Sequence, residues 1–237
     1  KESHQHMEEE EEAKAQGAPK LPRTLQERDH GKRVFVVLVQ ASLETVKTKT
    51  GYALLNCDDH RGIHKKLGRD PTLSRPDILH HALLSLLDSP LNKAGLLQIY
   101  IQSRTNVCIE VNPQIRIPRT YKRFAGLMVQ LLHKMKIRAA NGSATLMRVV
   151  KNPVTRHLPT SCRKFGTSVT GELIHPMDLV PALPANEPVV FVFGAHAHGP
   201  ATVDWTEEDL AFSKYPLSAS KAIDRLLGAF EYHWNVV

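Results

Sequence analysis

Two uninterrupted apolar segments constrain the fold of this chain more than any other feature. The first reads Arg33-Val-Phe-Val-Val-Leu-Val-Gln, and the second reads Pro-Val-Val-Phe-Val-Phe over 188–193. Both are rich in β-branched and aromatic residues, and neither alternates with polar ones. Continuous runs of this kind are typical of parallel strands that are buried on both faces of a sheet. They predict two central strands of a mostly parallel sheet.

The segments between these runs alternate in pattern. Further strands are predicted at 96–102, 106–111 and 145–150, and apolar residues recur at helical spacing over 79–87, 124–135 and 223–234. Strands that alternate with helices indicate an α/β fold, in which helices flank a central sheet. No internal repeat is visible, and 237 residues are enough for one large domain or two small ones.

Charge divides the chain into two unequal parts. Residues 1–30 carry five Lys or Arg and eight Asp or Glu, a net charge of −3, which leaves +10 on residues 31–237. The first part contains the run Glu8–Glu12 and almost no large apolar residues, so we predict a disordered acidic tail over 1–30. A basic body favours a polyanionic partner, either nucleic acid or an acidic membrane surface. No apolar run reaches the roughly 18 residues of a membrane span.

Cysteines and histidines give weak signals for metal or disulfide chemistry. The three cysteines are widely spaced and lack a CxxC pair, which favours a reducing compartment over a disulfide scaffold or a structural zinc (Cys57, Cys108 and Cys162). His60 and His64 have helical ligand spacing, and His196 and His198 share one face of a strand. Each group offers too few convincing ligands, so we expect no metal. His80-His81 is expected to be a surface pair on an amphipathic helix.

Four cations fall within eight residues of the segment 112–123, which we call the basic segment (Arg116, Arg119, Lys122 and Arg123). Pro113 and Pro118 hold this segment extended, because proline fixes its own φ and disfavours helix in the preceding residue. Arginine suits phosphate recognition, since its planar guanidinium donates two parallel hydrogen bonds and keeps its charge. A phosphate-binding platform and a solvated basic loop both remain open.

Candidate ligand loops come late in the chain. No glycine-rich turn follows the first strand, which argues against a dinucleotide site there. The strand 188–193 instead leads into a glycine-marked loop, 194–200, and the second loop, 212–217, precedes Ser218, a plausible helix N-cap. Ligands of open α/β sheets bind at the carboxyl ends of strands. These loops are rich in backbone donors and poor in charge, as suits a neutral or zwitterionic ligand; two structural turns are the alternative.

Several blocks of sequence resemble one family in order and spacing. They are Leu55-Asn56-Cys57-Asp58, Arg75-Pro76-Asp77, Asp88-Ser89-Pro90-Leu91-Asn92, Ile109-Glu110-Val111-Asn112-Pro113, Ile117-Pro118-Arg119-Thr120, Gly126-Leu127-Met128-Val129-Gln130-Leu131-Leu132 and Tyr215-Pro216-Leu217-Ser218. The family is that of the SPOUT-class methyltransferases that act on N1 of pseudouridine in small-subunit ribosomal RNA. The resemblance covers roughly residues 33–237. It implies that residues 31–237 form a single domain with a SPOUT-like fold and a trefoil knot in its C-terminal part.

The resemblance also implies a cofactor, S-adenosylmethionine, bound mostly through backbone atoms. The implied cofactor-binding residues are Leu173, Gly194, Gly199, Pro200, Ala201, Phe212, Ser213, Lys214, Tyr215, Pro216 and Leu217. Leu173 lies in the stretch of sequence that matches the family pattern least well. His196 departs from the apolar residue that the family pattern leads us to expect.

The resemblance also extends to arginines that bind the RNA substrate in this family. It implies that RNA is bound by Arg75, Arg116, Arg119 and Arg123, and that Arg75 also serves catalysis with Asp77 orienting it. From the residues alone, Asp77 reads as an acid in the first turn of a helix that begins with proline, and the two roles are compatible. No convincing general base is visible.

The expected assembly and location also follow from the resemblance. A homodimer would set one subunit's cofactor loops against the other's arginines, and small-subunit ribosomal RNA and pre-ribosomal assembly factors would be partners, in the nucleus and nucleolus. A non-catalytic RNA-binding assembly factor is the alternative.

Overall fold

The computed structural model describes residues 19–22, 24–140, 142–199, 201 and 203–237. The strands are β1 (Arg33–Ala41), β2 (Thr45–Thr48), β3 (Gly51–Leu54), β4 (Leu97–Ser103), β5 (Cys108–Val111), β6 (Lys136–Arg138), β7 (Thr145–Val150), β8 (Arg163–Leu173), β9 (Pro188–Gly194) and β10 (Glu208–Ala211). The helices are α1 (Leu25–Asp29), α2 (Arg61–Leu67), α3 (Pro76–Asp88), α4 (Pro90–Lys93), α5 (Tyr121–Lys134), α6 (Pro176–Ala182) and α7 (Ala219–Trp234), with 3-10 turns at Pro71–Leu73 and Val154–His157.

Eight strands form one sheet in the order β10-β8-β9-β1-β4-β5-β7-β6, and β2 and β3 form a separate hairpin. β1 pairs in parallel with β9 on one side and β4 on the other, as the two apolar runs predict. β8 is parallel to both β9 and β10, whereas β4, β5, β7 and β6 pair antiparallel. The mostly parallel α/β architecture is confirmed, with an antiparallel extension at one end.

Alternate residues of β1 enter two different cores. Val34, Val36 and Leu38 join the large core with residues of α3, α5 and α7. Phe35 and Val37 join a smaller core on the opposite face, which is covered by the segment around Val154–His157 and by Ala201, Val203 and Trp205. This two-sided burial is the physical reason why β1 shows no polar alternation.

Two strands next to the candidate ligand loops were not predicted. β8 and β10 pair closely, and a Cβ atom at Gly171 would lie 2.5 Å from the backbone carbonyl oxygen of Asp209, whereas one at Gly166 would meet the carboxylate of the same residue. Glycine is therefore required at position 171, where the two backbones approach. Because the two glycines flank a stretch rich in hydroxyl residues, β8 carries no apolar run that would predict it. The β2–β3 hairpin and β6 were missed as well.

The predicted tail of 1–30 is too long. Residues 1–18 and 23 lie outside the described residues, but α1 is capped by Thr24, whose hydroxyl accepts from the N–H of Glu27. Arg28 donates to the carbonyl of Arg156 at 2.9 Å, and Asp29 accepts from the hydroxyl of Thr160 at 3.1 Å. The folded body thus begins before residue 31. Among the described residues, no helix combines the length and apolarity needed to cross a membrane.

Candidate functional site

A cleft of about 770 Å³ opens at the carboxyl end of β9, within the usual range for small-molecule sites. Both predicted loops line it. The predicted residues that it brings together are Gly194, Gly199, Ala201, Phe212, Ser213, Tyr215, Pro216 and Leu217. Exposed Lys214 and half-exposed Leu173 lie outside this lining, and Pro200 lies outside the described residues. The placement at a strand's carboxyl end is where open α/β sheets bind ligands.

The first loop folds tightly around Gly194. A Cβ atom at this position would lie 2.8 Å from Cε1 of His196 and 2.9 Å from Cβ of Ala201, so a side chain cannot be accommodated without displacing the loop. Nε2 of His196 donates to the carbonyl of Gly199 at 3.0 Å, and Gly199 has a φ of +95°. The histidine therefore closes the loop by a side-chain-to-backbone hydrogen bond, and the two glycines permit that closure.

The second loop is held by its own serines. The N–H of Tyr215 donates to the Ser213 hydroxyl at 3.0 Å, which shapes the turn after β10. Ser218 caps α7 by accepting from the N–H of Lys221 at 3.3 Å, so the predicted N-cap is present. These contacts leave Ser213 and the prolyl turn at 216 facing the cleft.

The third wall of the cleft was not predicted. It consists of the segment Thr167 to Thr170 of β8, which adds three hydroxyl groups to the lining. Thr167 donates its hydroxyl proton to the carbonyl of Val192 at 2.8 Å, which ties β8 to β9 beside the cleft. The available signal was a cluster of hydroxyl residues between Gly166 and Gly171, and glycines inside a strand often mark such a close approach.

Arg75 brings a positive charge to the same cleft. It precedes α3, and its Nε and Nη2 donate to the two carboxylate oxygens of Asp77 at 2.8 and 2.6 Å. Partial burial raises the pKa of Asp77, but the hydrogen bonds and charge of Arg75 bring that pKa below its usual value. Asp77 is thus an ionised partner that fixes the guanidinium. It also lies in the first turn of α3, where a negative charge is favourable, although no side-chain hydrogen bond caps this helix.

The basic segment is anchored rather than a loose solvated loop. Ile115 and Ile117 are only 4% and 7% exposed, whereas Arg116, Arg119, Lys122 and Arg123 are exposed. Alternate residues therefore face the core and the solvent. Arg119 forms an ion pair with Asp88 at the end of α3. The three predicted arginines of this segment lie outside the lining of the cleft, so within one chain only Arg75 of the four reaches it.

His80 is buried, so the expectation of a surface pair is wrong for this residue. Its Nε2 donates to the carbonyl of Pro118 at 2.7 Å, and its ring stacks on Phe124 with the centroids 4.4 Å apart. Burial lowers the pKa of His80, and the Pro118 carbonyl offsets this in part. His81 is exposed, as expected. A histidine on the buried face of α3 therefore fixes the middle of the basic segment.

The histidines of the weak metal candidate have other partners. Nδ1 of His60 accepts from the N–H of Asn56 at 3.1 Å, and Nε2 of His64 donates to the carbonyl of Asn56 at 3.3 Å. Both rings are buried and close the turn before α2. Within the described part of the chain, no three His, Cys, Asp or Glu side chains are grouped as metal ligands. The three cysteines are free thiols.

Known proteins match this chain over most of its length. A family model described as EMG1/NEP1 methyltransferase matches residues 36–231. The chain is 54% identical over 207 residues to the Homo sapiens protein named ribosomal RNA small subunit methyltransferase NEP1, covering 87% of this chain and 84% of that protein. A protein of the same name from Drosophila melanogaster is 54% identical over 212 residues, with 87% and 84% covered. The Staphylothermus marinus protein of this name is 34% identical over 199 residues, with 80% and 84% covered.

A solved structure is similar as well. It is the crystal structure of Archaeoglobus fulgidus Nep1 bound to S-adenosylhomocysteine, with a TM-score of 0.62 and 22% sequence identity, covering 86% of this chain and 99% of that chain. At this identity the likeness bears on the fold alone, and it confirms the predicted SPOUT-like α/β class.

Proposed function

Because the chain belongs to the EMG1/NEP1 methyltransferase family, as its sequence blocks predict, we propose that it transfers a methyl group from S-adenosylmethionine to N1 of a pseudouridine in small-subunit ribosomal RNA. The observation that carries the proposal is the composition of the cleft. Two glycine- and serine-bearing loops and an arginine fixed by a carboxylate line one space at the end of β9.

The cleft suits a methionine-linked nucleoside in shape and chemistry. Its walls combine apolar side chains, such as Phe193 and Leu210, with hydroxyls of β8 and backbone groups of both loops. A Cβ atom at Gly194 would collide with His196 and Ala201, so glycine at this position keeps the loop in the shape that lines the cleft. Gly194, Gly199, Ala201 and residues of 212–217 would hold the cofactor, which supplies an activated methyl group on sulfonium sulfur.

The side chains of the protein position the nucleophile, N1, and stabilise the negative charge that forms on it. As the bond from N1 to the methyl carbon forms, the carbon–sulfur bond breaks, its electron pair neutralises the sulfonium, and the N1 proton leaves to solvent. Arg75 favours a deprotonated N1, because a fixed positive charge in a cleft stabilises the charge that develops there. Asp77 is a poor proton acceptor, since Arg75 keeps its pKa low. Alignment of the two reactants supplies much of the remaining acceleration.

The basic segment supplies the RNA contacts. Exposed Arg116, Arg119 and Arg123 lie on a backbone that two buried isoleucines and His80 hold in place. Phosphate contacts position an RNA strand without reading its sequence. The target base would leave its stack to enter the cleft, as enzymes that modify bases require.

Ligand-induced stabilisation and base-specific methylation test the proposal together. S-adenosylhomocysteine should raise the melting temperature of the chain, since a ligand that binds only the native state stabilises it. Methyl transfer should occur on an RNA loop that contains pseudouridine and not on the same loop with uridine, whose N1 is already bonded to ribose. Absence of a thermal shift at millimolar ligand, or equal labelling of both RNAs, would refute the proposal.

We further propose a homodimer, a trefoil knot in the C-terminal part, and a place with pre-ribosomal assembly factors in the nucleus and nucleolus. Exposed apolar side chains near the cleft support the dimer: Val169 is 66%, Leu173 50% and Tyr215 77% exposed. The return of β10 to pair with β8, after the chain has formed β9, is compatible with a knotted connection. Light scattering tests the dimer, and imaging of a tagged chain tests the location.

A further inference from the structure

The N-terminal segment enters the folded body beside the basic segment. The carbonyl of Pro19 accepts from Nε2 of Gln114 at 2.9 Å, and Pro19 lies 3.6 Å from where a Cβ of Gly95 would stand. Gln114 belongs to the basic segment and precedes Arg116 by two residues. Lys20, Leu21 and Pro22 continue along a small cavity that Glu110, Asn112 and Arg148 also line. The chain upstream of Pro19 is therefore tethered next to the predicted phosphate contacts.

The tethered sequence has the opposite charge to the segment it adjoins. Residues 1–18 contain six glutamates and two lysines, a net charge of −4, and five of the glutamates form the run Glu8–Glu12, which we call the acidic run. Glu12, the last residue of the acidic run, lies seven residues upstream of the anchor at Pro19, and Glu8, the first, lies eleven residues upstream. An extended chain spans up to about 3.3–3.6 Å per residue, so these carboxylates have a reach of roughly 25–40 Å. The basic segment from Gln114 to Arg123 is at most about 32 Å long even when extended. Every cation of this segment is within reach.

We propose that the acidic run binds the exposed arginines of the basic segment and competes there with RNA phosphates. This inference rests on the proposed function, since it concerns the same arginines. Carboxylates and phosphates each present two anionic oxygens that accept the parallel hydrogen bonds of a guanidinium group, so one can replace the other at Arg116, Arg119 and Arg123. Exposed pairs of this kind are individually weak and screened by salt, which makes the competition reversible.

The competition would suppress complexes that are held by phosphate contacts alone. Such contacts give non-specific binding that any single strand can make. A competitor on those contacts lowers the affinity for every RNA by the same factor, so the ratio of affinities between two RNAs does not change. An RNA that also inserts a base into the cleft starts from a higher affinity and remains bound at concentrations at which an RNA held only by phosphates is released. The tethered carboxylates thereby reduce the occupancy of the basic segment by weakly bound RNA.

Substitution of the five glutamates in the full chain tests the proposal. The probe is a fluorescein-labelled RNA hairpin with pseudouridine in its loop, measured by anisotropy at several salt concentrations. Replacement of Glu8–Glu12 by glutamine should tighten binding at low salt by about tenfold, or about 1.4 kcal/mol, and the gain should shrink as salt rises. Replacement by aspartate keeps the charge and should leave the wild-type affinity. Equal affinities of the glutamine variant and the wild type would overturn the proposal.

A double-mutant cycle locates the effect. In a chain that also carries Arg116→Ala and Arg119→Ala, the glutamine replacement should bring much less than tenfold, because most of its partners are gone. A full tenfold gain in that background would mean that the acidic run acts elsewhere, and would overturn the proposal. If the arginine substitutions weaken RNA binding while the glutamine replacement has no effect, the RNA function stands and this inference fails. If the wild-type chain fails to bind the hairpin under any condition, both fail.

Discussion

Substitution of Gly194 by alanine isolates the geometry of the first cofactor loop. The added methyl group would lie 2.8 Å from Cε1 of His196 and 2.9 Å from Cβ of Ala201. Carbon atoms in contact prefer a separation of roughly 3.5–4.0 Å, so each neighbour would have to move away by roughly 0.6–1.2 Å. The two neighbours belong to the same loop, and His196 is tied to Gly199 by its hydrogen bond, so the loop must move as a unit.

The cost of such overpacking is about 1–3 kcal/mol. Because the strain falls on a loop at the rim of the cleft, we expect it to appear mainly as weaker cofactor binding, by a factor of about 5–150. Isothermal titration with S-adenosylhomocysteine measures this loss. Gly228→Ala is the matched control, since a Cβ atom there meets nothing within 4 Å and alanine is favoured inside α7. Wild-type affinity in Gly194→Ala, with the fold intact by circular dichroism, would refute the reasoning.

Two further predictions concern the basic segment. The double substitution Arg116→Ala and Arg119→Ala should flatten the slope of log affinity for RNA against log salt concentration by about 1.4, because each lost phosphate contact of single-stranded RNA removes about 0.7. The affinity for the cofactor should be unchanged. An unaltered slope would contradict the role of these arginines. Burial lowers the pKa of His80 in the folded chain below the ordinary histidine value of 6.5, so the unfolded state binds the proton more readily. The stability that neutral His80 contributes is thus complete above pH 6.5 and is lost as pH falls through the folded-state pKa. Urea titrations at pH 8 and pH 5 should show a larger acid loss for the wild type than for His80→Gln, whose side chain does not titrate; equal losses would point to another group.

The central strands were predictable because burial on two faces leaves a direct mark on sequence. β1 and β9 contain hardly any polar residues, and the structure places both in the middle of the sheet. β8 left no such mark. Its residues 167–170 line the cleft, and Gly171 is required by the approach of the Asp209 backbone, a contact between strands that are distant in sequence. Periodicity cannot report a constraint of that kind.

The candidate site was predictable in a different way. The glycine-marked loop after β9 and the basic segment both stood out from the residues, but their roles came from resemblance to a family. The structure places eight of the predicted cofactor residues around one cleft and leaves Leu173 and Lys214 outside its lining. The position of Arg75 beside that cleft was not foreseen from its sequence position, because α3 and the loop after β9 meet only through the fold.

α3 sets a fixed distance between the two halves of the site. Its first turn carries Asp77, which holds Arg75 at the cleft, and its last residue, Asp88, holds Arg119 of the basic segment. Eleven residues of helix separate these two carboxylates, or about 16 Å at 1.5 Å per residue. The helix therefore fixes the spacing between Arg75 and Arg119. At the roughly 3.4 Å spacing of stacked nucleotides, a distance of about 16 Å corresponds to roughly five phosphates between the reacting base and an anchoring contact. Under the proposed function, an RNA loop of different length would bring its phosphate or its base to the wrong place, so we expect methylation to depend on loop length as well as on the base.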